Sequence, residues 1–271
     1  MFLSRPARIA LRIVTAAGLL FLYSPLVIIA VLSFNSARTF SWPPEGFTLH
    51  WWNSAFATSG PRDALWTSVK IALGATAVAL VLGTMASFAV QRFRFFGRET
   101  VSFLVILPIA LPGIVTGIAL NAAFRQAGVQ LGFMTLIVSH ATFCIVVVYN
   151  NVLARLRRAS PNLEEASADL GADLFQTFRY VTFPLVRTAL LAGGLLAFAL
   201  SFDEIVVTTF TAGPGIQTLP QWIFNNLFRP NQLPTVNVVA AVVILLSVIP
   251  VYFSQRLSAD PIAGLTGEDA R

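Results

Sequence analysis

Long runs without a charged residue are the feature that most limits how this chain can fold. They lie between the following pairs of charged residues: Arg12 and Arg38, Lys70 and Arg92, Glu99 and Arg125, Arg125 and Arg155, Arg187 and Asp203, and Arg229 and Arg256. About twenty apolar helical residues cross the hydrocarbon core of a bilayer. The sequence therefore predicts an all-α membrane protein, forming a single transmembrane domain over residues 1–271. Its six predicted spans are roughly 12–35, 66–91, 100–124, 132–153, 185–207 and 235–256.

Composition agrees with this class and points to lipid as a partner. The chain is 56% hydrophobic and only 11% charged, whereas soluble domains are about a quarter charged. Its net charge of +6 could indicate a nucleic-acid partner, but nearly all the basic residues flank the apolar runs. We therefore expect them to meet lipid headgroups and predict no nucleic-acid binding.

The distribution of Lys and Arg predicts the orientation, since cytoplasmic loops are enriched in these residues. With a cytoplasmic N-terminus, thirteen of the eighteen basic residues lie on that side and five outside. Both termini, and a polar segment at residues 160–184, are then predicted to be cytoplasmic.

Two of the predicted spans have features that are unusual for a membrane helix. The third carries Pro108 and Pro112, which indicate a bend beside a pathway or simple packing through small residues. The fifth, 185–207, is long enough only if a continuous helix runs through Asp203 and Glu204 into the next apolar residues.

Segment 160–184 is the longest charged passage, and it has the pattern of two short helices broken at a glycine. Ser160 and Pro161 are typical of a helix start, and Gly171 is typical of a helix end. Asp173, followed three residues later by Gln176, predicts a capping box for the second helix.

This segment resembles the cytoplasmic EAA motif of ABC importer permeases. Glu165-Ala166-Ser167 is followed by Gly171 and then by Val181-Thr182-Phe183-Pro184, with the spacing of that motif and only mild substitutions. The resemblance implies a coupling helix that docks into a separate ATPase subunit. An amphipathic loop lying on the membrane surface is the alternative.

Most of the chain also resembles the spermidine/putrescine type of these permeases. The matching residues include Ser139-His140, Asp169-Leu170-Gly171-Ala172 and Ser201-Phe202-Asp203-Glu204-Ile205-Val206-Val207. The resemblance implies the fold of a type I ABC importer permease and a multi-pass location in a bacterial inner membrane. It also implies which residues couple to the ATPase: Glu164, Glu165, Ala166, Asp169, Gly171, Ala172 and Pro184.

The same resemblance implies the partners. These are a second permease subunit of different sequence, two ATPase subunits and an extracytoplasmic solute-binding protein. ATP and Mg would be bound by the ATPase, and no cofactor is predicted in this chain, which has no P-loop motif of its own. The chain is therefore predicted to be a transport subunit and not an enzyme.

Asp203 and Glu204 form an acidic pair within apolar sequence. Such carboxylates are costly in lipid and should face a watery cavity or a cation. They are the predicted substrate-path residues, together with Phe202 and Trp222, for polyamines or similar cationic amines. The alternative is an ion pair with Lys70 or with a neighbouring subunit.

His140 and Cys144 lie in the fourth span. We predict a neutral histidine hydrogen-bonded between helices and a thiol packed in the core. Two other functions stay open: a secondary transporter driven by an ion gradient, with Asp203, Glu204 and His140 as a proton relay, and a membrane scaffold that transports nothing.

Overall fold

The computed structural model describes residues 4–160, 162–229 and 231–258, and these residues are helical with no β-strand. The helices are α1 Arg5–Leu32, α2 His50–Ala57, α3 Ser59–Arg92, α4 Arg98–Ala110, α5 Gly113–Gln126, α6 Phe133–Arg158, α7 Asn162–Asp169, α8 Leu174–Thr177, a π-helix at Phe178–Thr182, α9 Phe183–Phe202, α10 Val206–Thr211, α11 Leu219–Leu227 and α12 Leu233–Ser258. The all-α fold class is confirmed.

Two compact units divide the chain. One contains Met1–Pro61 and Ile223–Arg271, and the other is Arg62–Trp222. In the first unit, α12 packs against both α1 and α2. The loop after α1 is held by the buried side chain of Asn35, whose Oδ1 accepts from the backbone N–H groups of Ala37 and Glu45. Most of α1 is exposed, as expected of a helix whose apolar surface faces lipid or another subunit.

The core of the second unit lies between α3, α6 and α9, where small residues let the helices approach closely. A Cβ on Gly83 of α3 would lie 2.9 Å from the carbonyl oxygen of Ile145 on α6. A Cβ on Gly193 of α9 would lie 3.3 Å from the Cα of Val148. Cys144 is fully buried in this core and its Sγ donates to the carbonyl oxygen of Ala197, which agrees with the predicted packing role.

The third predicted span is not one helix. α4 and α5 are bent by 109° relative to each other at Leu111 and Pro112. Leu111 adopts an extended backbone, as expected of a residue before proline, and Pro112 caps α5. The bend that the prolines predicted is therefore present, and it divides the predicted third span, 100–124, into two helices.

The fifth predicted span also ends early. α9 stops at Phe202, Asp203 forms its C-cap, and a new short helix, α10, begins at Val206. The predicted continuous helix over 185–207 is wrong because the Glu204 side chain accepts the N–H of Val207 and starts a separate helix.

Within the described part of the chain, four helices are long and apolar enough to cross a membrane, and the bent α4–α5 pair makes up to five. The predicted count of six spans is therefore not exact.

Candidate functional site

The polar segment after α6 folds as two short helices separated by a glycine, as predicted. α7 ends at Asp169, and Gly171 has a φ of 84°, the left-handed conformation that glycine adopts at low cost. Asp173 and Gln176 exchange hydrogen bonds of 2.8 and 3.0 Å between side chain and backbone, which confirms the capping box of α8. Pro161, predicted at the first helical position, lies outside the described residues.

Glu164 ties α7 to two other elements. Its Oε1 forms an ion pair with Arg92 at the end of α3 and accepts from the hydroxyl of Thr182 at 2.7 Å. Arg92 also donates to the Thr182 hydroxyl at 3.3 Å. The three side chains therefore join α3, α7 and the π-helix in one polar cluster.

Ser167 is one of three residues, with Val181 and Phe183, at which this segment departs from the EAA pattern. Its hydroxyl lies 3.0 Å from the hydroxyl of Thr177 on α8, within hydrogen-bond distance. An alanine at this position could not form that bond. The substitution therefore adds a link between the two short helices.

The remaining residues of the segment face outward. Glu165, Ala166, Asp169 and Gly171 are exposed, Ala172 is half-buried, and Pro184 is exposed at the start of α9. Three apolar side chains stand beside them with large exposed fractions, Leu170 at 89%, Leu174 at 91% and Phe175 at 69%. Apolar side chains exposed next to carboxylates are typical of a protein–protein interface. We call these seven exposed residues, Glu165, Ala166, Asp169, Leu170, Gly171, Leu174 and Phe175, the coupling face.

A continuous helical stretch connects this face to the membrane helix. Residues Leu174–Phe202 run without a break through α8, the π-helix and α9. Pro184 cannot donate a backbone hydrogen bond, and the π-helix immediately before it, in which Phe183 N–H bonds to Phe178, provides a local change of register.

At the other end of α9, the acidic pair lies at the break before α10. Asp203 is exposed, and Glu204 is half-buried, with its Oε1 2.8 Å from the N–H of Val207. Neither carboxylate pairs with a basic side chain among the described residues, whose ion pairs are Arg62–Asp63 and Arg92–Glu164. The structure therefore does not support the alternative pairing with Lys70.

The two broken helices meet near their breaks. A Cβ on Gly113, the first residue of α5, would lie 3.5 Å from the side chain of Val206, the first residue of α10. One turn on, a Cβ on Gly117 would lie 2.7 Å from the Phe210 ring. Asn121 donates to the carbonyl oxygen of Phe210 at 2.5 Å. Discontinuous membrane helices of this kind often surround the binding site of a transporter.

His140 bridges the break between α9 and α10. It is fully buried on α6, with Nδ1 2.8 Å from the hydroxyl of Ser201 and Nε2 2.9 Å from the hydroxyl of Thr208. The predicted histidine hydrogen-bonded between helices is confirmed.

The two aromatic candidates differ in access. Phe202 is half-buried and stacks on Phe198, with ring centroids 6.0 Å apart. Trp222 is only 7% exposed on α11. In this conformation the acidic pair is accessible and the Trp222 ring is largely covered.

Sequence reasoning missed the partners of these groups: Arg92, Thr182, Ser201, Thr208 and Asn121. The sequence did give a reason to expect two of these partners, those of His140, because a buried histidine needs a hydrogen-bond partner at each ring nitrogen. Ser201 and Thr208 flank the acidic pair, but nothing in the sequence joined them to residue 140.

An all-helical body with long apolar spans, an exposed polar helix pair at one end of a membrane helix and a paired helix break at the other defines a membrane permease. The chain belongs to the family described as the inner membrane component of binding-protein-dependent transport systems, which matches residues 79–261. This membership argues against the gradient-driven carrier and the scaffold.

Proteins with similar sequences are transport permeases. The chain is 35% identical over 249 residues to the spermidine/putrescine transport system permease protein PotC of Escherichia coli (strain K12), covering 92% of this chain and 93% of that protein. It is 32% identical over 240 residues to the putrescine transport system permease protein PotI of the same strain, covering 86% and 84%.

Solved structures share the fold at low sequence identity. A chain of a bacterial ABC transporter involved in the import of the acidic polysaccharide alginate has a TM-score of 0.71 at 17% identity, covering 95% of this chain and 98% of that one. A chain of an amino acid ABC transporter with histidines has a TM-score of 0.57 at 16% identity, covering 78% and 100%. The ABC importer permease fold is thus confirmed.

Proposed function

We propose that this chain is one of two permease subunits of an ATP-driven importer of polyamines or similar cationic amines. It works in the inner membrane with both termini cytoplasmic. The excess of Lys and Arg on that side, thirteen residues against five, supports this orientation. The coupling face then lies in the cytoplasm, where ATP is available.

One observation carries the proposal: a single helical stretch links the coupling face to the acidic pair. Leu174–Phe202 is uninterrupted over 29 residues, or about 43 Å at 1.5 Å per residue. α9 also packs against α6 in the core. A displacement of α8 would therefore move α9 and α6 together.

The coupling face fits an ATPase subunit as partner. Its exposed carboxylates and leucines form a charged and apolar surface that a folded protein partner can cover. The full transporter would contain two ATPase subunits, which bind ATP and Mg, and a second permease of different sequence. Closure of the ATPase dimer would move α7 and α8 as a unit, because Ser167 of α7 bonds to Thr177 of α8. Glu164 also joins α7 to Arg92 of α3.

The break after α9 fits a cationic solute. The last carbonyl groups of a helix carry partial negative charge, and here the exposed Asp203 carboxylate stands at the same end. Two sources of negative potential together would offset part of the desolvation of an ammonium group. The names of the similar permeases, which transport spermidine and putrescine, support the same solute class. An extracytoplasmic solute-binding protein would deliver it.

Reconstitution of the complete transporter in proteoliposomes tests this proposal. ATP hydrolysis is measured with the binding protein empty, loaded with spermidine or putrescine, and loaded with a neutral sugar where it binds one. The proposal expects stimulation by the polyamine-loaded protein. A transporter stimulated equally by the empty binding protein, or only by the sugar-loaded one, would contradict it.

A further inference from the structure

The hydrogen bonds around His140 have a direction that the donors and acceptors fix. The hydroxyl of Thr208 has one hydrogen, which it donates to the carbonyl oxygen of Glu204 at 2.8 Å. It must therefore accept from His140, so Nε2 of the imidazole carries a hydrogen. In the neutral ring, Nδ1 is then an acceptor, and the hydroxyl of Ser201 donates to it.

The resulting chain of hydrogen bonds crosses the helix break. It starts at Ser201 in the last turn of α9, passes through His140 on α6, continues to Thr208 on α10, and ends on the backbone of Glu204 inside the break. All three side chains are buried, with exposed fractions of 3% or less. Water therefore has little access to compete for these bonds.

A break in a membrane helix needs such support. Where one helix ends and another begins, carbonyl and N–H groups lose their intrahelical partners, and in an apolar environment each unpaired group is costly. Glu204 supplies an acceptor for Val207. The His140 chain supplies the lateral contact that fixes α9 and α10 to the same neighbouring helix.

From this geometry we infer that His140 is a positioning residue, which holds the α9–α10 break in the conformation that exposes the carboxylate of Asp203 and turns that of Glu204 back onto α10. It acts through Ser201 and Thr208 and does not itself contact the solute. The part of this inference that concerns transport rests on the proposed function.

Two variants of Thr208 separate positioning from packing. Thr208→Val keeps the side-chain volume and removes the hydroxyl, whereas Thr208→Ser keeps the hydroxyl and removes a methyl group. A positioning role predicts that Thr208→Val lowers uptake per folded transporter about fivefold, the effect of losing one hydrogen bond, and that Thr208→Ser stays near wild type. A packing role predicts the reverse order and would overturn the inference.

The matched control is Thr209→Val. Thr209 is the next residue of α10 and is exposed. Its hydroxyl donates to the carbonyl oxygen of Ile205 at 2.7 Å and accepts a long bond of 3.4 Å from the side chain of Gln221, and neither bond involves His140. It should behave as wild type. Direct substitution of His140 leaves a cavity and can prevent folding, so the hydroxyl variants provide the decisive comparison.

A distance measurement tests the same inference without transport. Spin labels at Leu200→Cys and Thr209→Cys, in a Cys144→Ala background, lie on either side of the break in the assembled transporter. Ser201→Ala and Thr208→Val should broaden the distance distribution, and Ser201→Thr should not. An unchanged distribution in the two hydroxyl-less variants would refute the positioning role. A broadened distribution with normal uptake would leave His140 as the residue that holds the break but would contradict the proposed role of the acidic pair in the solute path.

Discussion

Arg92 and Glu164 form an ion pair between the end of α3 and the first turn of α7, although 72 positions separate them in the sequence. Thr182 bonds to both partners. The pair is about two-thirds buried, so it contributes on the order of 1 kcal/mol to stability. Its greater consequence is mechanical, because together with Thr182 it connects α7 directly to α3, a core membrane helix, and to the π-helix that precedes α9.

A charge exchange tests this connection. Arg92→Glu and Glu164→Arg, each alone, should leave the protein folded but lower uptake per ATP hydrolysed several-fold, because like charges push α7 away from α3. The double variant should recover much of the loss. Uptake and ATP hydrolysis are measured in the same proteoliposomes to give the uptake per ATP hydrolysed. If the double variant loses as much of this ratio as the two single variants combined, the pair does not couple the helices.

Glu165 is exposed on the coupling face, and it forms no ion pair with any residue that the structure describes. Glu165→Lys should therefore change stability by no more than about 0.5 kcal/mol while it disrupts ATPase docking or separates hydrolysis from uptake. Co-purification of the ATPase and uptake of labelled polyamine measure the two effects. The control is Glu45→Lys, the same charge reversal at an exposed position on the predicted outer side; normal uptake in Glu165→Lys would refute the coupling role.

The acidic pair can be neutralised with its local structure preserved. Asp203→Asn with Glu204→Gln should lower the rate of polyamine uptake at least several-fold, because the ammonium groups lose a compensating charge. Glutamine still offers an oxygen to the N–H of Val207, so assembly should be intact by size-exclusion chromatography. Asp63→Asn with Glu45→Gln removes the same charge elsewhere and should have no effect. Unchanged kinetics in the first variant would remove the pair from the solute path.

Packing between α3 and α6 depends on the absence of a side chain at Gly83. Gly83→Ala places a methyl group 2.9 Å from the backbone oxygen of Ile145, and overpacking of this kind costs about 1–3 kcal/mol. We expect a lower thermal transition in detergent. Gly194→Ala is the matched control, since the atoms nearest to its methyl group would be those of the Leu80 side chain, at an ordinary contact distance of 3.5 Å. Equal transitions for the two variants would contradict the close approach of the helices.

Local signals in the sequence predicted the coupling segment well. The end of α7 and the start of α8 depend on Gly171, Asp173 and Gln176, which act within a few residues of themselves. The same reasoning failed at residues 203–205, where no glycine or proline marks the end of a helix. That break depends on His140, which contacts Ser201 and Thr208 across 61 and 68 positions. Local patterns do not contain contacts of that range.

The bend in the third span was also only partly predicted by local sequence patterns. Pro108 and Pro112 indicated a bend, but not one of 109°. The size of this bend reflects the packing of Gly113 and Gly117 of α5 against α10. The sequence did not indicate that the two helix breaks contact each other.

Thiol labelling of the coupling face shows whether this surface is cytoplasmic and whether the ATPase covers it. In a Cys144→Ala background, Leu174→Cys is exposed at the tip of α8, and a membrane-impermeant maleimide is applied to membrane vesicles of each orientation, with and without the ATPase subunit. We expect labelling only from the cytoplasmic face and its loss when the ATPase binds. Labelling from the opposite face, or labelling that the bound ATPase leaves unchanged, would contradict it.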